Sequence, residues 1–121
     1  MKAIIDSDVL IDYLQGVTAA KTELARYHRP HYSIISLMEL LCGAQNEAER
    51  NAVESLLSTM ERVDITEAIA RRAVDVRKTH GLKLPDTIVL ATAEEEGCLL
   101  VTRNTKDFPR AHPHIRFPYA V

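Results

Sequence analysis

Asp6 ends the apolar run Ala3-Ile4-Ile5, and a second acid, Asp8, stands two residues on. Glu39 lies just past an apolar stretch at residues 32–35, and Asp86 opens a long apolar segment. Asn104 and Asp107 follow the run at residues 98–102. These are hard oxygen donors without an organised set of His or Cys, a ligand chemistry that suits Mg²⁺ or Mn²⁺ rather than zinc. A divalent cation held by one or two carboxylates activates water and stabilises charge on a phosphodiester under in-line attack. Metal-assisted phosphodiester hydrolysis is the reaction to which these residues point.

Each residue also has a plainer reading. Ser36-x-x-Glu39 fits a capping box, and Asp6, Asp86 and Asn104 all fit helix N-caps or favourable charges at helix N-termini. Taken singly, capping is the better reading. Convergence separates the two, because carboxylates ~4 Å apart repel by about 4 kcal/mol at an effective dielectric of 20. Several together need protons, cations or a metal, and caps have no reason to converge.

The elements that must bring them together are short apolar runs alternating with helical patterns, the signal of an α/β fold with a mainly parallel sheet. Strands are expected at residues 2–5, 32–35, 62–65 and 98–102, the last as the central strand because it is apolar on both faces. An edge strand is expected at 115–117. Helices are expected from Ser7 to Gly16, through Ala20, Leu24 and Tyr27, from Ser36 to Gly43, along Val53, Leu56, Leu57 and Met60, from a Thr66 cap to Gly81, and from Asp86 to Gly97. In such a sheet ligands bind at the carboxyl ends of strands. Asp6, Glu39, Asn104 and Asp107 all follow predicted strands.

The chain has 121 residues, with no repeat or linker, and reads as one unit over 1–121. Lys plus Arg number 15 against 17 Asp plus Glu, a net charge of -2, so any nucleic-acid surface must come from local patches. No Trp is present, which argues against a base-stacking platform. No apolar run approaches a membrane span, and the first residues do not read as a signal peptide. Cys42 and Cys98 read as small core residues of a cytoplasmic protein.

The residues Ala3-Ile4-Ile5-Asp6-Ser7-Asp8-Val9-Leu10-Ile11-Asp12 resemble the opening of a PIN domain. The segment from Ser36 to Ala44 places Glu39 at that family's second acidic position, Leu84-Pro85-Asp86-Thr87-Ile88-Val89-Leu90-Ala91 is similar to its third motif, and Val101-Thr102-Arg103-Asn104-Thr105-Lys106-Asp107-Phe108 to its fourth. The order and spacing hold over nearly the whole chain, and its length resembles that of VapC toxins of VapBC toxin–antitoxin systems. The resemblance implies a three-layer α/β/α fold and a cytoplasmic Mg²⁺-dependent ribonuclease, with Mn²⁺ as a substitute. It also implies an RNA substrate, a small VapB-like antitoxin with a C-terminal arm, and a homodimer. Metal binding maps onto Asp6 and Asp86, with Glu39 completing the acidic triad. The fourth acidic position holds Asn104; Asp107 either supplies the missing charge or caps the following turn. Asp8 stands where the family often has Asn, and either adds a nearby charge or extends the charge at the helix N-terminus.

Arg103 and Lys106 flank the fourth motif and are the expected phosphate contacts, since an acidic pocket alone repels RNA. His28, His31, His80, His112 and His114 show no metal-ligand motif and read as surface residues. Tyr13, Leu14, Leu56 and Leu57 read either as dimer contacts or as core. Two other classes fit parts of the pattern. Asp6-Ser7-Asp8 resembles the D-x-D of haloacid-dehalogenase-like phosphatases, with Asp6 as nucleophile and Asp8 as acid/base. A receiver-like module would hold Mg²⁺ at the same edge without turnover.

Overall fold

The computed structural model describes residues 2–120; Met1 and Val121, the ends of the expected 1–121 unit, lie outside the described residues. The order is β1 (Ala3–Ile5), α1 (Ser7–Leu14), α2 (Thr18–Ala25), β2 (His31–Ser33), α3 (Ile34–Gly43), α4 (Glu47–Ser58), β3 (Glu61–Val63), α5 (Glu67–His80), α6 (Leu84–Glu95), β4 (Leu99–Val101) and β5 (Ile115–Arg116). The strands form one sheet in the order β3-β2-β1-β4-β5, and every pairing is parallel. The strand in the middle is therefore β1, not β4 as its apolar faces suggested; β4 is interior but one place off centre.

Period-two alternation divides the core between the two faces of the sheet. Ala3 and Ile5 join Val9, Leu10, Leu24, Leu56 and Leu57 on one side, whereas Ile4 and Leu100 join Ile69, Val76, Val89 and Leu90 on the other. Helices α1, α2 and α4 thus cover one face and α5 and α6 the other, with α3 supplying Leu40 to the first cluster and Ile35 to the second. This is the expected three-layer α/β/α arrangement. Leu56 and Leu57 are core, and Tyr13 and Leu14 pack against it. The apolar side chains left exposed include Ile65, Val74 and Leu84 around α5 and α6.

Local chemistry sets the element ends. Thr66 caps α5 by accepting from the Ile69 amide at 3.1 Å, as its sequence pattern predicts. Gly81 closes the same helix at φ 68°, a left-handed turn that a Cβ would strain. The second strand gives way to helix two residues earlier than expected. Ser33, not Ser36, caps α3, its hydroxyl accepting from the Ile35 amide at 3.1 Å. β3 likewise begins one residue early. Three of the histidines are not free surface groups: His31 lies in β2 with Nδ1 buried, His112 Nε2 lies 3.0 Å from Glu94 Oε2, and His114 Nδ1 lies 2.9 Å from the Cys98 carbonyl. Cys98 is buried as expected; Cys42 is exposed instead, and both thiols are free. Among the described residues no helix is long and apolar enough to cross a membrane.

Candidate active site

The topology fixes where a site must lie. The chain builds β1, β2 and β3 in one direction and then returns to lay β4 on the other side of β1. The crevice at the carboxyl ends of β1 and β4 is thus a topological switch point. The register pairs Ile5 with Val101, so the next residues, Asp6 and Thr102, stand side by side. The Asp6 amide donates to the Val101 carbonyl at 2.9 Å, extending the ladder. The Thr102 hydroxyl then donates to Asp6 Oδ2 at 2.8 Å and lies 3.2 Å from Asp8 Oδ2.

Asp6 is the N-cap of α1 and accepts from the Ser7 amide at 2.8 Å, so the capping reading is correct in itself. It is also buried, and other acids face it. Burial first, then the charge of Asp8, push its carboxyl from 3.8 up to about 7, against the hydrogen bonds from Thr102 and Ser7; Asp86 adds to the rise. Asp8 is raised as well, by burial, with Arg103 opposing. Asp86, in the first turn of α6, is raised by burial, then by the charges of Asp107 and Glu39. Segments distant in sequence therefore do bring their acids within electrical reach of one another. A single Thr102 proton serving two carboxylates fits a site that retains a proton near neutrality.

Glu39 does not close a capping box. It lies in the second turn of α3 and accepts from the Ser7 hydroxyl at 2.6 Å, while Ser36 faces the same hydroxyl at 3.0 Å. Asn104 acts as the cap after β4: its Oδ1 accepts from the Asp107 amide at 3.1 Å, and its Nδ2 donates to Asp107 Oδ2 at 3.0 Å. Asp107 is thereby held where its charge raises Asp86. Arg103, expected to meet phosphate, is turned the other way into a two-pronged pair with Asp12, at 2.6 and 3.2 Å. Lys106 is exposed and makes no ion pair among the described residues.

The donor set is all oxygen, negatively charged and partly desolvated, which fits a hard divalent cation. Among the described residues, no three acids close in tightly enough to enclose an ion by themselves. A cation here would keep water in its shell, as Mg²⁺ typically does with one or two carboxylates.

Residues 3–112 match the PIN domain. The chain is 39% identical over 126 residues to Ribonuclease VapC10 of Mycobacterium tuberculosis, covering 98% of this chain and 93% of that protein. The chain belongs to the PIN-domain family. Members of the VapC branch of PIN-domain nucleases are metal-dependent. The same fold recurs in a toxin–antitoxin complex from Klebsiella pneumoniae, with a TM-score of 0.90, 38% identity, and 98% and 99% of the two chains covered. It recurs again in the DNA-bound VapBC of Salmonella typhimurium, with a TM-score of 0.80 at 24% identity over 96% of each chain. PIN membership takes the place of the phosphatase and receiver readings.

Sequence reasoning undervalued Asp8 and missed Ser7, Thr102 and Asp12. The signal for Thr102 was its position, the last residue of the strand expected at 98–102; its neighbour across the sheet is set by the β1–β4 register.

Asp6 carries a raised acid pKa, so the folded chain retains a proton that the unfolded chain loses between about pH 4 and 7. Without metal, this group favours folding at low pH, and that contribution is lost as pH rises through about 7. In Asp6→Asn the new amide can accept from Ser7 and donate to Thr102 Oγ1, leaving the threonine proton for Asp8. The variant is expected to melt above wild type at pH 8 in chelator, with the gap closing toward pH 4. Thermal scans across that range check it; a wild-type chain equally stable at pH 8 would show that Asp6 bears no such strain.

Proposed function

We propose that this chain is a metal-dependent endoribonuclease and the toxin of a type II toxin–antitoxin pair. The observation that carries the reading is the buried Asp6, raised to about 7 among neighbouring acids at the switch point of the sheet, in a chain akin to a VapC ribonuclease. Asp6 and Asp86 would hold the cation, with Glu39 completing the set from α3. Mg²⁺ is the proposed ion, with Mn²⁺ as its substitute. When bound, the cation supplies charge stabilisation at the phosphodiester and eases deprotonation of an attacking water.

The chain's own residues account for the rest. Ser7 holds Glu39, Thr102 orients Asp6, and Asn104 holds Asp107 beside Asp86, where Asp107 supplies the charge that Asn104 lacks. Lys106 is the proposed phosphate contact. The cytoplasm is the proposed place of action, where such a protein would meet RNA. The helix dipoles of α1 and α6 both point their positive ends at the acids and ease their ionisation.

A toxin of this kind needs a partner that blocks it. A groove of about 300 Å³ between α1, α3 and α4 is lined by Ile11, Leu14, Leu40 and Val53, with Glu39 on its wall. An antitoxin arm with an apolar segment for this groove and an Arg or Lys for the acids would fit it, since a guanidinium pairs bidentately with carboxylates. A homodimer is the proposed assembly, with Val74 and Leu84 among the exposed apolar side chains available to it.

Asp6→Asn and Asp86→Asn should each bring Mg²⁺-dependent RNA cleavage down to background while the circular dichroism stays native. Asn104→Ala should cost less, because its amide acts through Asp107. Cleavage at the wild-type rate by either Asp variant would remove that residue from the ligand set. The C-terminal peptide of a small protein encoded beside this gene should inhibit cleavage, and raising Mg²⁺ should weaken that inhibition. Inhibition indifferent to Mg²⁺ and to loss of the peptide's basic residue would place the block away from the acids.

A further inference from the structure

Asp12 lies outside the proposed ligand set. It sits one helical turn beyond Asp8 on α1, is buried at 4% exposure, and is met by groups from two distant parts of the chain. Arg103 donates to it through Nε at 2.6 Å and Nη2 at 3.2 Å, and the Tyr119 hydroxyl donates to Oδ2 at 2.8 Å. Arg103 also touches α1 a second time, its backbone amide donating to Asp8 Oδ2 at 3.3 Å. One residue is thus fastened to the helix by its side chain at position 12 and by its backbone at position 8. Two attachment points seat the segment that leaves β4 on α1, and within that segment the Asn104 amide donates to Thr102 Oγ1 at 3.1 Å, which leaves the hydroxyl proton to the acids.

We propose that Asp12, Arg103 and Tyr119 form a positioning clamp that seats the segment after β4 on α1, so that Thr102 holds Asp6 in the geometry a cation requires while the Arg103 amide holds the neighbouring Asp8 in place. This rests on the nuclease reading above. A buried pair meant only to balance charge needs a cation nearby; this one uses a planar fork and a phenol, all aimed at one carboxylate. Groups that orient ligands without touching the metal typically account for 10–100-fold in affinity or activity.

A test must separate orientation from stability, and the chemistry of buried pairs offers a way. Apolar replacement of both partners often leaves a fold as stable as before, so Asp12→Leu combined with Arg103→Met keeps packing and removes the fork. Mn²⁺ binding to the metal-free full chain, read by electron paramagnetic resonance, is compared with its melting temperature and with RNA cleavage across a Mn²⁺ titration. The double variant is expected to melt near wild type yet bind Mn²⁺ about 10-fold or more weakly. The metal midpoint for cleavage should move by the same factor. Tyr119→Phe, which removes one hydrogen bond and little else, should weaken Mn²⁺ binding in the same direction but less. If the double variant does not fold, Tyr119→Phe decides alone. Wild-type Mn²⁺ affinity in whichever variant is folded overturns the clamp. Wild-type protein that binds Mn²⁺ but leaves RNA intact would instead sink the nuclease reading, and the binding comparison would still judge the clamp.

Discussion

Mutual repulsion among acids at one edge of the sheet governs this molecule. Asp6 and Asp8 arrive together at the end of β1 and Asp86 from α6; burial raises all three carboxyls, and the charge of Asp8 adds to the rise in Asp6 and Asp86. Left alone, such groups would spread apart or take up protons. What keeps them together is attachment to rigid parts: Asp6 on the end of β1, Asp8 on the first turn of α1, Asp86 on the first turn of α6. The parallel register then supplies Thr102 at the neighbouring strand end, where one hydroxyl faces two of the acids. Neither the helices nor the sheet could relax this strain without breaking core contacts on both faces.

The same constraint accounts for the polar side chains around the acids. Ser7 and Ser36, both buried, sit beside each other so that a hydroxyl is available to Glu39. Asn104 uses both ends of its amide on Asp107. Arg103 opposes the rise in Asp8 although its guanidinium is committed to Asp12. A second pair built on a buried carboxylate, Glu23 with the half-buried Arg116 at 2.8 and 3.0 Å, ties α2 to β5 on the side of the sheet that carries the returning strand. The helix that carries Asp6 and Asp8 is therefore held by an ion pair as well as by apolar packing.

How much of this could be read from the sequence depended on whether the signal was local. Apolar runs and the Thr66 and Gly81 boundaries are decided within a few residues, and they gave nearly all the elements. The position of β4 was misjudged because burial on both faces marks any interior strand, and the sheet order decides which one is central. Ser36 fits a capping box by spacing, but Ser33 stands where the strand ends and caps first. Once α3 starts there, Ser36 and Glu39 fall inside the helix and face Ser7, which lies 29 residues from Ser36. Arg103 read as a phosphate contact because a cation beside an acidic motif has two possible partners. The one it takes, Asp12, is 91 residues away in the chain and looks in sequence like the polar face of a surface helix.

Asp12 also shows why the separation of roles among the acids was illegible. By type alone it cannot be told from Asp6 or Asp8, and all three fall within two turns at the start of α1. Their environments divide them. Asp6 and Asp8 face acids and share a single hydroxyl, and their carboxyls are pushed upward; Asp12 has a guanidinium and a phenol of its own. A carboxylate whose charge is already matched by donors has little left to offer a cation, whereas one crowded by like charges gains most from it. On the proposed reading, α1 thus begins at a ligand, Asp6, and turns to support at Asp12, within two helical turns.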